Sequence, residues 1–244
     1  MEIVFPDIPE YRFILKGLCS DKLPRFPKFS CEPVSRVNNR LSSDVAFVPA
    51  PLALLSSREY EMIRAGNIFS YFSGPQIFTT DQNYSELFVR RDDHVSSLYV
   101  SILLNGVTTK EGDGEPCVLE PRIVMLSGTT GKSKADMYNN WSSLAGNLPF
   151  PLYVGVIRRS EINLRDIVEQ AIRSSVKYSL DNSSDVIREI ATLYGIENIH
   201  MLKRIIFHFI NKNTLSVSEE EIESLVALGN VMKRKGFDVT DVIY

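Results

Sequence analysis

Two adjacent hydroxyls, Ser96 and Ser97, open an apolar segment running to Leu104 that stops at Asn105-Gly106, the pattern of a short helix. Hydroxyls combined with the free N–H groups and positive dipole end of a helix N-terminus suit a ligand carboxylate, although capping the helix is the plainer role for such a pair. His94 lies two residues earlier and could exchange a proton with a ligand held there. Flanked by Asp92 and Asp93, it reads otherwise as a surface histidine. Glu120 offers a carboxylate that partial desolvation would turn into a weak base, against the plainer alternative of an exposed loop position. His200 and His208 are eight residues apart, too far to share a metal ion from one helix, where ligand pairs sit about three or four residues apart. No metal site is expected. The segment from Leu126 to Lys134 has the letters of a phosphate-binding loop but puts Leu126 where the first glycine is needed. It is expected to be a polar connection.

These residues need a scaffold, and 244 residues at 44% hydrophobic content can bury one large core or two modest ones. Twenty-seven Lys and Arg against thirty Asp and Glu leave a net charge of -3, without the basic footprint that phosphate backbones or anionic membranes require. Neither nucleic acid nor a membrane is therefore an expected partner. The three cysteines, Cys19, Cys31 and Cys117, form no C-x-x-C pair, and reduced thiols are the expectation. The first ten residues carry neither a basic stretch nor an apolar core of the export-signal kind, so a cytoplasmic location is expected.

Along the chain, Glu2–Phe5 reads as a first strand, followed by an amphipathic helix over Tyr11, Phe13, Ile14, Leu15 and Leu18. Leu23–Pro33 is irregular or extended, Ser35–Leu41 is a short helix, and Asp44–Pro49 is a buried parallel strand. A turn at Gly74-Pro75 leads into another strand, and Glu86–Arg90 suits a further one. A strand falls on Cys117–Val118 or on Ile123–Leu126. The Asp136–Trp141 stretch reads as a polar turn that passes through Pro149 and Pro151 into a Val/Ile strand. Helical spacing then dominates: Leu164 to Val176, Val186 to Leu193, Met201 to Phe209 and Ile222 to Met232. Mixed strands and helices, with a helical tail that must pack back on the first part, define an α/β chain whose first lobe is discontinuous.

Several segments carry a resemblance. Asp136 and Trp141, followed by Leu148-Pro149-Phe150-Pro151, are similar to the D-L-G-x-x-W and G-L-P-[LF]-P motifs of the futalosine-pathway enzymes of menaquinone biosynthesis, 1,4-dihydroxy-6-naphthoate synthase and chorismate dehydratase. Asn39-Arg40-Leu41 with Asp44-Val45-Ala46, Gly74-Pro75, Arg173-x-Ser175-x-x-Tyr178 and Ile210-Asn211 through Leu215 resemble further motifs of that family. The resemblance implies a two-lobed periplasmic-binding-protein-like (type 2) fold with a cleft between lobes, residues 1–77 and 156–244 forming lobe 1 and residues 78–155 lobe 2. It also implies a cofactor-free carbon-oxygen or carbon-carbon lyase acting on a small-molecule carboxylate, with no cofactor and a homodimer left open. Asp7, Asn39, Gly74, Ser96 and Ser97 would then line the substrate site, with Glu120 and His94 as the catalytic candidates. Where the synthase has I-H-E, this chain has Val118-Leu119-Glu120, so Leu119 stands in the place of the family's catalytic His. A non-catalytic solute-binding or sensor protein of the same fold is the alternative.

Overall fold

The computed structural model describes residues 1–35, 41–80, 83–127 and 135–239. Asn39, most of the helix expected over Ser35–Leu41, and residues 128–134 of the glycine-containing segment lie outside the described residues.

The first sheet begins with β1 (Glu2–Pro6), which leads into α1 (Pro9–Ile14) and α2 (Lys16–Cys19), then β2 (Ser30–Val34), β3 (Val45–Pro49), α3 (Ala50–Leu55), β4 (Tyr60–Met62) and β5 (Ile68–Ser70). The second sheet follows: β6 (Gln76–Phe78), β7 (Glu86–Val89), α4 (Ser96–Leu103), β8 (Thr108–Glu111), β9 (Cys117–Leu119), α5 (Pro121–Ser127) and β10 (Ala135–Asp136). Then come α6 (Met137–Ala145), the long strand β11 (Phe150–Arg158) and the tail helices α7 (Arg165–Asp181), α8 (Ser183–Tyr194), α9 (Ile199–Phe209), α10 (Lys212–Leu215) and α11 (Glu219–Arg234).

Among the described residues the first sheet has the order β2-β1-β3-β11-β4, with β5 also on β11, and the second has the order β10-β6-β9-β7-β8. β1 runs parallel to β2 and β3, whereas β11 is antiparallel to β3, β4 and β5. β7 runs parallel to β8 and β9. β3 and the first eight residues of β11 are buried throughout, the mark of strands covered on both faces. Pro151 sits within β11 where its pairing with β5 shifts register, the kind of irregularity that tolerates a missing N–H.

The strands pass between the sheets in two places, after β5 and between β10 and β11. One carboxylate ties the two connections together: Asp136 Oδ1 accepts from Tyr138 N at 2.8 Å, capping α6, and from Gly74 N at 2.8 Å. A side chain at Gly74 would start 2.9 Å from both the Phe150 ring and Tyr138 N, so this approach requires glycine. The stretch expected as a polar turn is therefore a capped helix, because Asp136 satisfies its first free N–H and Trp141 is fully buried, its indole N–H donating to Leu148 O at 2.9 Å. Of the two positions open for a strand, Cys117–Leu119 is the strand and Pro121–Ser127 is helix, with proline in the first turn.

The tail helices close over the first sheet. α11 begins with a reciprocal Ser218/Glu221 capping box and three glutamates, and ends with Lys233 and Arg234, both ends matching the helix dipole. Ser179 Oγ donates to Phe13 O at 2.6 Å and Ser224 Oγ to Pro149 O at 2.5 Å, fastening α7 to α1 and α11 to the segment before β11.

The expectation of reduced thiols is corrected for two of the three cysteines. Cys19 and Cys31 form a disulfide with Cα atoms 5.6 Å apart, leaving Cys117 free. Parallel pairing sets Cys31 opposite Ile3 at the sheet edge, and α2 brings Cys19 above it. That proximity arises from the crossover, which spacing along the chain does not reveal.

At Gly155, in the middle of β11, a Cβ would lie 2.7 Å from Ile63 Cγ1 and 2.8 Å from Phe47 Cε1. Gly155→Ala is expected to cost about 1–3 kcal/mol by overpacking, read as a lower midpoint in urea unfolding with an unchanged slope.

Candidate functional site

Three parallel strands from two sheets, β1, β7 and β9, deliver their carboxyl ends to one place, the usual position of ligand sites in open α/β sheets. After β1 come Asp7, Ile8 and Glu10; after β7 come Asp92, Asp93 and His94; after β9 come Glu120 and Arg122. Tyr153 of β11 and Phe209 of α9 complete a nearly filled interior of about 10 Å³, also lined by Ile8, Ile68 and Leu152. Outside it opens a mouth of about 600 Å³ lined by Asp7, Pro9, Asp92, Leu126 and the α8–α9 turn, Tyr194 to Asn198. Arg122 lines both spaces.

The interior is a buried charge cluster. Arg122, only 7% exposed, pairs through Nη2 with Glu120 Oε1 and donates from the same nitrogen to Asp92 O at 2.9 Å. The other Glu120 oxygen accepts from Tyr153 OH at 2.8 Å, a bond from the first sheet to the loop after β9. Glu120 N donates to Asp93 Oδ2 at 2.8 Å. The same Asp93 carboxylate accepts from Val95 N at 3.0 Å, Ser96 N at 2.8 Å and Ser96 Oγ at 2.6 Å. Glu10 is 2% exposed, and its Oε2 has no hydrogen-bond partner among the described residues; the same holds for Tyr11 OH and Arg122 Nε.

Burial governs the electrostatics. It pushes the Glu10 carboxyl up to about 7, an effect that Arg122 opposes and the Glu120 charge reinforces. Burial and the neighbouring Glu120 charge likewise push Asp93 up to about 6, against the hydrogen bonds it accepts. Tyr153 is raised well above the ordinary phenol value, first by burial and then by Glu120. Burial works against the Arg122 charge, but Glu120 and Glu10 outweigh it and hold the guanidinium protonated.

The sequence-selected residues divide. Glu120 and Ser96 lie inside this cluster, and Glu120 is buried, not exposed in a loop. Ser97 is half-buried beside it. Asp7 is at the mouth, where Arg12 Nε at 2.8 Å and Tyr194 OH at 2.6 Å donate to its Oδ1. Burial raises its carboxyl, but those bonds and the charges of Arg12 and His94 bring it below the usual value, so half-buried His94 acts electrostatically on Asp7. Gly74 belongs to the connection after β5, held by Asp136. Leu119 packs with Phe78 and Ile123 in a small cluster of its own. His200 and His208 both fall on α9. Among the described residues no group of three or more His, Cys, Asp or Glu side chains could hold a metal ion, and no helix is long and apolar enough to cross a membrane.

Glu10, Asp93, Arg122 and Tyr153 escape a reading by type and spacing. A signal exists for two of them: Asp93-x-x-Ser96 has the spacing of a helix cap, and Glu120-Pro121-Arg122 sets two charges inside an otherwise apolar run.

The two sheets, the strand β11 returning to the first of them and the cleft at the strand ends define a type 2 periplasmic-binding-protein-like fold. Solved structures of that class overlay almost the whole chain. The alkanesulfonate-binding protein SsuA from Xanthomonas axonopodis pv. citri, bound to MOPS, is similar at a TM-score of 0.57 and 12% identity, covering 99% of this chain and 95% of its own. The periplasmic aliphatic sulphonate binding protein SsuA from Escherichia coli gives 0.61 and 9%, covering 99% and 89%. Protein AF1704 from Archaeoglobus fulgidus is similar at a TM-score of 0.80 and 16% identity, covering 96% of this chain and 97% of its own. The chain matches no curated protein. The family model described as menaquinone biosynthesis matches residues 107–234, and the chain belongs to that family.

The Glu10 shift has a measurable consequence. The folded protein keeps this proton to about pH 7, whereas the unfolded chain releases it near 4.5. Between those values folding takes up a proton, so the Glu10 contribution to stability falls as pH rises. Glu10→Gln is expected to exceed the wild type in stability above pH 7 by up to about 3 kcal/mol, with the difference fading as pH falls towards 4. Denaturant melts of both proteins across that range check it; a constant offset would contradict it.

Proposed function

We propose that this protein is a menaquinone-biosynthesis enzyme similar to 1,4-dihydroxy-6-naphthoate synthase or chorismate dehydratase, a cofactor-free lyase acting on a small carboxylated cyclic substrate. The observation that carries the reading is Glu10: a buried carboxyl with one unpartnered oxygen, raised to about 7, at the strand ends beside a buried guanidinium. A base whose pKa lies near the working pH is what proton abstraction from carbon needs. In this reading the ligand enters at the mouth and opens the filled interior beside Arg122, where Glu10 takes the C–H proton, the freed electron pair forms the new double bond, and the carbon–oxygen or carbon–carbon bond on the neighbouring atom breaks with its pair. Glu120 keeps Arg122 and Tyr153 in place. His94, whose charge is felt by Asp7 of the mouth, would be a second proton-exchanging group. Lobe closure, with residues 78–155 swinging as lobe 2 against the rest, would supply the dry cleft that strengthens these interactions.

The alternative reading is a solute-binding or sensor protein of the same fold. It is favoured by Leu119, which leaves no imidazole in the family's base position, and by the sulfonate-binding proteins that share the fold.

Incubating the purified protein with chorismate, and separately with cyclic dehypoxanthine futalosine, followed by chromatography, tests the reading. Product is expected from one of them, and Glu10→Gln is expected to lower kcat by at least about a hundredfold while substrate still binds. Saturable binding of either compound without product would instead establish the binding-protein reading.

A further inference from the structure

A guanidinium presents two N–H donors side by side along the edge formed by Nε and Nη2, a fork that matches the two oxygens of a carboxylate. In Arg122 that fork is half used. Nη2 is engaged by Glu120 Oε1 and Asp92 O, while Nε, equally buried, has no partner among the described residues. Leaving a charged donor buried and unpaired is costly, so an incomplete fork in a ligand cleft points to what completes it.

We infer that Arg122 is the carboxylate anchor of the cleft: the ligand's carboxylate docks side-on across Nε and Nη2 and takes from Nη2 the place that Glu120 fills. This rests on the reading of the cleft as a site for a small cyclic carboxylate. Geometry supplies the route. Arg122 lines both the filled interior and the mouth, and only the mouth, about 600 Å³ with Pro9, Leu126 and Ile196 in its wall, has room for a ring. The other charges there do not oppose an anion equally. Asp7 is neutralised by Arg12 and Asp92 by Arg90, at 2.8 and 2.9 Å, and Glu197 stands at the exposed rim. Glu120 is a built-in surrogate: its carboxylate accepts from a guanidinium and a phenol, Tyr153, as a bound ligand's would. When the ligand takes the fork, Glu120 retains the Tyr153 bond.

The test compares benzoate with its neutral counterpart benzamide by isothermal titration calorimetry. The wild type is expected to bind benzoate at least about tenfold more tightly than benzamide, and Arg122→Lys, which keeps the charge and loses the fork, is expected to lose about tenfold to a hundredfold of benzoate affinity. Glu120→Gln removes the competing charge and is expected to tighten benzoate, which keeps the test decisive if the Arg122 variant fails to fold. Equal binding of the two compounds, absent benzoate binding, an Arg122→Lys protein with wild-type preference, or a Glu120→Gln protein with unchanged affinity each overturns the anchor. Turnover of chorismate with a KM that Arg122→Lys does not move sinks the anchor and leaves the lyase reading standing. Arg122-dependent benzoate binding without turnover of either candidate substrate does the reverse.

Discussion

A guanidinium held away from water between two sheets sets the terms for everything around it. Removing such an ion from water costs several kcal/mol, and only close partners offset that cost. Arg122 finds them in Glu120, two residues before it in the chain, and in the Asp92 carbonyl after β7, with Glu10 contributed by α1. These partners coincide only because the carboxyl ends of β1, β7 and β9 converge. Well-packed apolar side chains of similar size would often stabilise such a site equally or better, so a cluster of three carboxyls and one guanidinium is poorly explained by stability alone. Its retention with two unpartnered buried atoms, Glu10 Oε2 and Arg122 Nε, fits a site whose hydrogen bonding is completed from outside.

The rest of the scaffold serves that convergence. β11 is antiparallel in a sheet whose other long strands run parallel, and so it carries Tyr153 into the cleft from the direction opposite to β1. Its bond to Glu120 is the direct polar link from the first sheet to the loop after β9. Asp136 fixes the two connections between the sheets to one another, and Tyr71, hydrogen-bonded to Glu221 of α11 at 3.0 Å, fixes the first of them to the tail. The chain thus joins the two sheets through the Tyr71–Pro75 and Asp136–Phe150 segments, which Asp136 holds together.

Much of this architecture is legible in the sequence. β1, β3 and β11 appear as apolar runs ended by Pro or Arg, and the tail helices show their buried stripes at helical spacing, as in Val168, Ile172 and Val176. Short strands such as Tyr60–Met62 and Ile68–Ser70 carry too few residues for a period to be seen; β11 decides them by offering its edges. The disulfide and the charge cluster are invisible for one shared reason. Cys19 meets Cys31, and Glu10 meets Arg122, through topology, and a charged residue next to proline looks like surface until the strands around it are placed. The family resemblance reaches Glu120, but it does not mark the neighbour two residues on that gives Glu120 its setting.

Asp93 explains why the anion-binding feature most apparent in the sequence is not the most available one in the fold. The N-terminus of α4 is an attractive place for a carboxylate, and a carboxylate is there: Asp93 takes the N–H groups of Val95 and Ser96 and the Ser96 hydroxyl. An outside anion at this helix end must either displace a residue of the chain or share its donors, at the cost of repulsion from Asp93 and Glu120. The raised Asp93 carboxyl, at about 6, already records the second of these, since Glu120 is the neighbouring charge that helps to push it up. Two carboxylates a single backbone bond apart leave little room for a third unless a cation intervenes. In this cleft the buried cation is Arg122, which pairs with Glu120 and lines the mouth, so the guanidinium is a more favourable place for a ligand anion than the helix end.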